Sequence, residues 1–314
     1  MRSGHRINRK KIMVLYHAGR KVQHHEPERG VKRRMKILVT GATGRVGSRL
    51  VPRLLQEGHE VRIFVRNRER AASLIAQGAE PAVGDLLAPD SLKPAVRGVD
   101  AVVHLAAFFR GATDEEARAV NLTGTVSLAE AALEADVPRF VYASTNLVYG
   151  PGRGRKFTEA DPPNPGSAYP DSKAASERAL LRLHQSRGLG LRILRLAFVY
   201  GDGDSHLGEG LRWFRNWNPS QRFHLVHHAD VAQSVLLALN ADHRSGEIYN
   251  VADDEPATAG EIMEVLNEPV PEGADRRPIE EAWLQLVDTS KIKEQLGFRP
   301  VYPTLRSAAL ANAL

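Results

Sequence analysis

The sequence contains no cysteine. That excludes disulfides, thiolate metal sites, iron–sulfur clusters and cysteine nucleophiles together, and it fits a reducing, cytoplasmic setting. Long apolar runs are also missing: no stretch approaches the roughly 18 residues of a membrane span. An excess of positive charge is missing outside one region. The chain has 43 Lys and Arg against 37 Asp and Glu, yet residues 1–34 hold eleven of those bases and only two of the acids. The rest carries 32 bases against 35 acids and shows no electrostatic footprint for nucleic acid. The basic segment reads as a disordered extension, or as chain ahead of a working start at Met35. Its one apolar stretch, Ile12 to Tyr16, is too short for a signal-peptide core. No metal is expected: His24-His25 could chelate one but read as solvated tail histidines, and His227-His228 before Asp230 resembles zinc spacing only superficially.

From Met35 onward the pattern alternates strand and helix. Short apolar runs at 36–40, 60–65, 80–83, 100–105, 139–143 and 191–196 predict strands, and amphipathic stretches at 44–57, 68–77, 114–134 and 168–186 predict helices. After residue 200 the rhythm loosens. A helix is expected at 230–240, with Asp230 as its cap, then a strand at 247–251 and helices at 258–266 and 288–296. Strands separated by helices imply right-handed parallel βαβ units. The expected fold is therefore α/β: a doubly wound, mostly parallel sheet over 35–200, continued at about 228–251. Within 201–314 a small C-terminal substrate lobe is expected over the carboxyl end of the sheet, where such sheets bind ligands.

Gly41-Ala42-Thr43-Gly44-Arg45-Val46-Gly47 falls between a predicted strand and a predicted helix. Glycines in that place permit a tight turn, and the helix N-terminus then faces a pyrophosphate. The spacing is GxxGxxG rather than GxGxxG, so its position between strand and helix carries the reading. At the end of the second strand a carboxylate would bind the 2′-hydroxyl of NAD, and an arginine would suit the 2′-phosphate of NADP. The sequence there is Phe64-Val65-Arg66-Asn67-Arg68, with no acid before Glu69, so Arg66 points to NADP and NAD is the alternative.

With these motifs the chain resembles the extended short-chain dehydrogenase/reductase family of Rossmann enzymes, from about Met35 onward. The resemblance rests on Thr40–Gly47, Gly84-Asp85-Leu86, Val103-His104-Leu105-Ala106-Ala107, Asn121 in NLTGT, Tyr142-Ala143-Ser144-Thr145 and the YxxxK motif Tyr169 to Lys173, in that order. It implies that Gly41, Thr43, Gly44, Arg45, Val46 and Gly47 hold the cofactor. It implies the same of Asp85 and Leu86 near the adenine, of Leu105, Ala106 and Ala107 after the fourth strand, and of Leu196 and Val199 after the sixth. Asn121 would support the active site, and Thr145 would be its hydroxyl, with Ser144 as alternate on the opposite face of a strand.

Tyr169 and Lys173 lie four apart on a predicted helix and so share a face. Tyrosine is a poor acid–base group at its ordinary pKa of about 10, and a neighbouring ammonium favours its phenolate. The pair can protonate a carbonyl oxygen as hydride arrives, or deprotonate an alcohol as it leaves. Two departures narrow the chemistry. Dehydratases of the family often carry Asp-Glu after the threonine, where this chain has Asn146-Leu147. Its sugar-nucleotide enzymes often have asparagine where Phe198 stands. The expected substrate is accordingly a smaller or more apolar carbonyl or alcohol, with nucleotide-sugar epimerase as the alternative and a redox sensor behind both. No membrane partner is expected, and a homodimer is compatible with the family. His206 and Arg212 are further candidates for substrate contact.

Overall fold

The computed structural model describes residues 33–109 and 113–314. The expectations for residues 1–32 lie outside the described residues. Among those described, seven strands form one sheet: β1 (Lys36–Thr40), β2 (Glu60–Val65), β3 (Glu80–Val83), β4 (Ala101–His104), β5 (Phe140–Thr145), β6 (Leu191–Leu196) and the strand Glu247–Val251. Their order from one edge is Glu247–Val251, β6, β5, β4, β1, β2, β3. Every pairing is parallel. This is the doubly wound sheet that the alternation predicts.

The strands read as near-continuous apolar runs because both faces are covered. Ile37, Val39, Ile63, Val103, Val141 and Leu194 belong to one buried cluster. Their alternates Leu38, Phe64, Val102, Phe140, Tyr142 and Ile193 belong to the other. The period of two thus sorts each strand into two core layers. From β1 the chain winds out to β3, then crosses back to place β4 on the other side of β1. That reversal opens a crevice at the carboxyl ends of β1 and β4, where sheets of this kind take ligands.

The predicted helix at 114–134 is one element with an irregular middle. Thr113 and Glu116 close a capping box ahead of Asp114–Arg118, a π-helical turn follows at Ala119–Gly124, and Thr125–Glu134 completes the helix. Inserted π turns recur at functional sites, and this one carries Asn121. The helices Pro89–Val96 and Leu305–Leu310 are not foreseen by the pattern. Each spans under three turns, too short to show a clear period.

After β6, short strands Phe198–Tyr200 and Leu225–His227 pair in parallel, and Arg222–Phe223 pairs antiparallel with Ala257–Thr258. A third apolar cluster gathers here around Tyr200, Phe214, Trp217, Leu225, Ile262 and Leu305. Asp230 does not cap its helix. His227 does so, accepting from the Ala229 amide, while the Asp230 carboxylate accepts from the backbone of Val301 and Tyr302. Among the described residues, no helix is long and apolar enough to cross a membrane.

Candidate active site

The glycine turn folds back against the exit of β4. Gly41 has φ 69°, and a Cβ there would lie 2.6 Å from the Ala106 nitrogen. A Cβ on Gly47 would lie 2.2 Å from the Gly41 carbonyl oxygen. Only glycine fits either position. The turn closes with the Gly44 amide donating to the Gly41 carbonyl at 3.0 Å, and the helix Gly47–Gln56 begins directly after it.

In front of this turn runs a groove of about 560 Å3. It gathers Gly41, Thr43, Gly44, Arg45, Arg66, Asp85, Leu86, Leu105, Ala106 and Ala107 along its wall. A cavity of about 210 Å3 adjoins it and brings together Val46, Thr145, Tyr169, Lys173, Leu196 and Val199. Arg45, Leu105, Ala107, Phe109 and His206 border both spaces. Gly47 and Asn121 line neither space: Gly47 packs beneath the turn, and Asn121 is buried behind Phe108. The glycine cradle and the elongated groove at the strand reversal fit a dinucleotide.

Arg45 has partners of its own. Its guanidinium meets Asp204 and Glu209, each at 2.5 Å. Asp204 also accepts from His228 Nε2 at 2.9 Å. On the helix that follows, Arg49 reaches the Asp202 carbonyl and Arg53 the Asp202 carboxylate. Arg45 in the turn, with Arg49 and Arg53 one turn apart on the helix, holds the 202–209 segment over the junction of groove and cavity.

Behind the groove a polar network crosses the core. The Ala106 amide donates to Thr40 Oγ1, which lies 2.6 Å from His104 Nδ1. His104 Nε2 is 2.8 Å from Thr125 Oγ1, and that hydroxyl donates to the Asn121 carbonyl. Because the Thr125 proton is so committed, His104 donates from Nε2 and accepts at Nδ1. Burial pulls the His104 imidazolium down to about 3, so the ring is neutral near pH 7. The Asn121 amide donates to the Phe108 carbonyl and to Ser172 Oγ, and its oxygen accepts from the Phe108 amide. Ser172 in turn donates to the Tyr169 carbonyl. Asn121 therefore ties the strand-four loop to the helix that carries the tyrosine. Ser176 Oγ also donates to the Asn121 carbonyl, and the roles of His104, Ser172 and Ser176 in this network are not read from sequence. The signal that could have found the first is a histidine closing an otherwise apolar strand.

Tyr169 and Lys173 share a face of the helix Ala168–Arg187. Lys173 Nζ donates to the Ala143 carbonyl at 2.6 Å and lies 4.0 Å from the Tyr142 ring centre. Burial draws the Lys173 ammonium down to about 7, with Glu177 opposing that shift. Burial pushes the Tyr169 phenol up to about 12. Thr145 Oγ1 accepts from the Leu147 amide, which leaves its own proton for the cavity. Ser144 borders the cavity as well, and the strand ends at Thr145, which caps the turn Asn146–Tyr149. The Ser144 hydroxyl is buried without a partner. Asn146 donates to the Gln285 carbonyl.

The far wall is aromatic. Phe109 meets Tyr169 edge-on at 4.7 Å, Phe198 stacks on His206 at 3.9 Å, and Phe198 packs on Phe223 at 5.3 Å. His206 Nδ1 donates to the Val199 carbonyl. Arg212 lies over the Trp213 ring and lines neither the groove nor the cavity. No group of three or more His, Asp or Glu side chains able to hold a metal ion occurs among the described residues.

Residues 37–252 match the NAD dependent epimerase/dehydratase family. The chain is 32% identical over 247 residues to a 4-hydroxy-2-methyl-3-oxo-4-farnesyl-3,4-dihydroquinoline-1-oxide ketoreductase from Stigmatella aurantiaca, covering 74% of this chain and 73% of that protein. It is 35% identical over 247 residues to sterol demethylase protein B from Methylococcus capsulatus, covering 74% of each. Among solved structures, dTDP-glucose 4,6-dehydratase from Streptomyces venezuelae, determined with NAD bound, superposes with a TM-score of 0.74 at 28% identity, covering 89% of this chain and 95% of that one.

Proposed function

The chain belongs to the NAD dependent epimerase/dehydratase family, and from that premise we propose that it is an NAD(P)-dependent reductase or dehydrogenase acting on an apolar carbonyl or alcohol. One observation carries the choice: the surface of the cavity beside Tyr169 is mostly apolar, walled by Phe109, Phe198 and Phe223, while Arg45 and Asp204, which also border it, are paired with each other. Such a wall favours one oxygen at the tyrosine and a hydrocarbon body against the rings. It offers little to a sugar hydroxyl. The ketoreductase and sterol demethylase relatives, by their names, act on largely apolar molecules, which supports the same direction. Asn146 and Leu147 at the cavity wall supply no carboxylate there for water loss.

The groove residues Gly41, Thr43, Gly44, Arg45, Arg66, Asp85 and Leu86 would hold the dinucleotide, which when bound supplies or accepts the hydride. The protein does the proton work. Thr145 would donate to the substrate oxygen and fix it beside the phenol. Tyr169 would give its proton to that oxygen in reduction and take it in oxidation. Lys173, as the ammonium, would lower the cost of the phenolate. Asn121 would hold the helix and the Phe108 loop in register around them.

The test compares substrates. Purified protein is given NADPH or NADH with fused-ring ketones such as 2-decalone and, separately, dTDP-glucose and UDP-glucose. Net consumption of reduced cofactor with the ketones is expected, with no conversion of either sugar. Sugar conversion without net redox change, and no ketone turnover, would overturn the proposal.

A further inference from the structure

Lys173 and Glu177 are both almost wholly buried, at 2% and 1% exposure, and stand one turn apart on the same helix. Glu177 forms an ion pair with Arg195 of β6, itself 2% exposed. Arg195 Nε donates to Glu177 Oε1 at 3.1 Å, and Nη2 donates to Oε2 at 2.6 Å. The guanidinium sits 4.7 Å from the Tyr149 ring centre. The Tyr149 hydroxyl donates to Asn250 at 2.7 Å, and the Asn250 amide holds the Phe157 and Asp288 carbonyls. The ring behind the guanidinium is thus itself held in place through Asn250.

The groups facing Lys173 can be named from each side. Its own helix supplies Tyr169 and Glu177. β5 supplies the Tyr142 ring and the Ala143 carbonyl. β4 supplies His104, which is neutral near pH 7. Glu177 is the one carboxylate in this set. An ammonium buried among a carbonyl, two phenols and a neutral imidazole is poorly stabilised without a counter-charge. As packing alone, a buried ion pair has little to recommend it, because apolar residues of similar volume serve as well or better.

We propose that Glu177, braced by its ion pair with Arg195, is a positioning residue that holds Lys173 as an ammonium beside Tyr169. The proposal rests on the Tyr169–Lys173 reading above, but its test does not require turnover. Two variants are compared with the parent: Glu177→Gln, which keeps the shape, and the pair Glu177→Gln/Arg195→Met, which leaves no lone buried ion if the single variant fails to fold. Each protein is labelled with [ε-13C]lysine, and Lys173 is followed by NMR across pH, its signal assigned with Lys173→Arg. Both variants should release the Lys173 proton at a pH lower by about one unit, roughly tenfold in the protonation constant. The alkaline fall-off of ketone reduction should move down with it. A folded double variant whose Lys173 titrates as in the parent overturns the proposal. A shifted Lys173 in a protein that turns over no ketone upholds it and removes the reductase reading instead.

Discussion

On the groove side of Tyr169 the polar groups are joined by hydrogen bonds into one network. On the far side the wall is made of rings that meet edge and face. The network runs from Ala106 through Thr40, His104 and Thr125 to Asn121, and every partner sits at a fixed short distance. The rings of Phe109, Phe198, His206 and Phe223 come from separate segments and meet one another by ring packing. The difference has energetic content. A buried polar group that loses its partner forfeits its desolvation cost, on the order of 1–3 kcal/mol. A ring exchanged for another apolar group of similar volume costs less. Substitutions on the groove side should thus cost more than apolar exchanges on the ring side.

Removing the hydroxyl at the boundary of the two regions should have the largest effect. Tyr169→Phe keeps the ring against Phe109 and deletes only the proton-carrying atom. Turnover is expected to fall by about 10²- to 10⁴-fold, with the dinucleotide dissociation constant within about twofold of the parent by fluorescence titration. Turnover within tenfold of the parent would detach the chemistry from Tyr169 and leave the comparison without a centre.

The ring wall should respond more gently and more selectively. Phe198→Asn places a polar amide against His206 and Phe223 and removes a stacked face. The ratio of kcat/KM for 2-decalone over that for cyclohexanone should drop by about 10- to 100-fold, the range for removing hydrocarbon contact from a pocket. The kcat/KM for cyclohexanone, too small to lean on the wall, should change little. An equal loss for both ketones would mean that Phe198 supports the fold rather than selects the substrate.

The two regions were also unequally legible in the sequence. β1, β2, β3, β6 and the strand Glu247–Val251 begin and end where the apolar runs do. Glycine or charge punctuates each run, and outside the edge strand β3 burial of the apolar residues leaves little room for register to slip. The glycine turn could be read because three residues at fixed spacing must lie between strand and helix. The π turn around Asn121 could not, since a period of 3.6 does not reveal one inserted residue. His104 in an apolar strand looks like any core residue until its two hydroxyl partners, 64 and 21 positions away, are in place. Arg45 shows the same limit. Its place in the turn suggests a cofactor ligand, whereas the fold also gives it Asp204 and Glu209, more than 150 residues on. The ring wall was visible only as Phe198, because Phe109 and Phe223 become its neighbours through tertiary packing alone.

Arg66 is the exception that sharpens the comparison. It borders the groove, yet it is exposed and stands outside the hydrogen-bonded network. Asn67, its neighbour, uses its side chain to cap the turn at Glu69 and Arg70, which leaves the arginine at the mouth of the groove. A guanidinium there would meet a 2′-phosphate as an exposed charge pair, strengthened by its forked geometry. Pairs of that kind contribute on the order of 1 kcal/mol and weaken with salt. Arg66→Ala should therefore lower the preference for NADPH over NADH by about five- to tenfold at low salt, and by less at 0.5 M salt, in dissociation constants measured side by side. It should leave thermal stability and NADH affinity unchanged. An unaltered preference would take cofactor choice away from the end of β2, and with it the reason to expect that any part of the groove lies outside the rigid network.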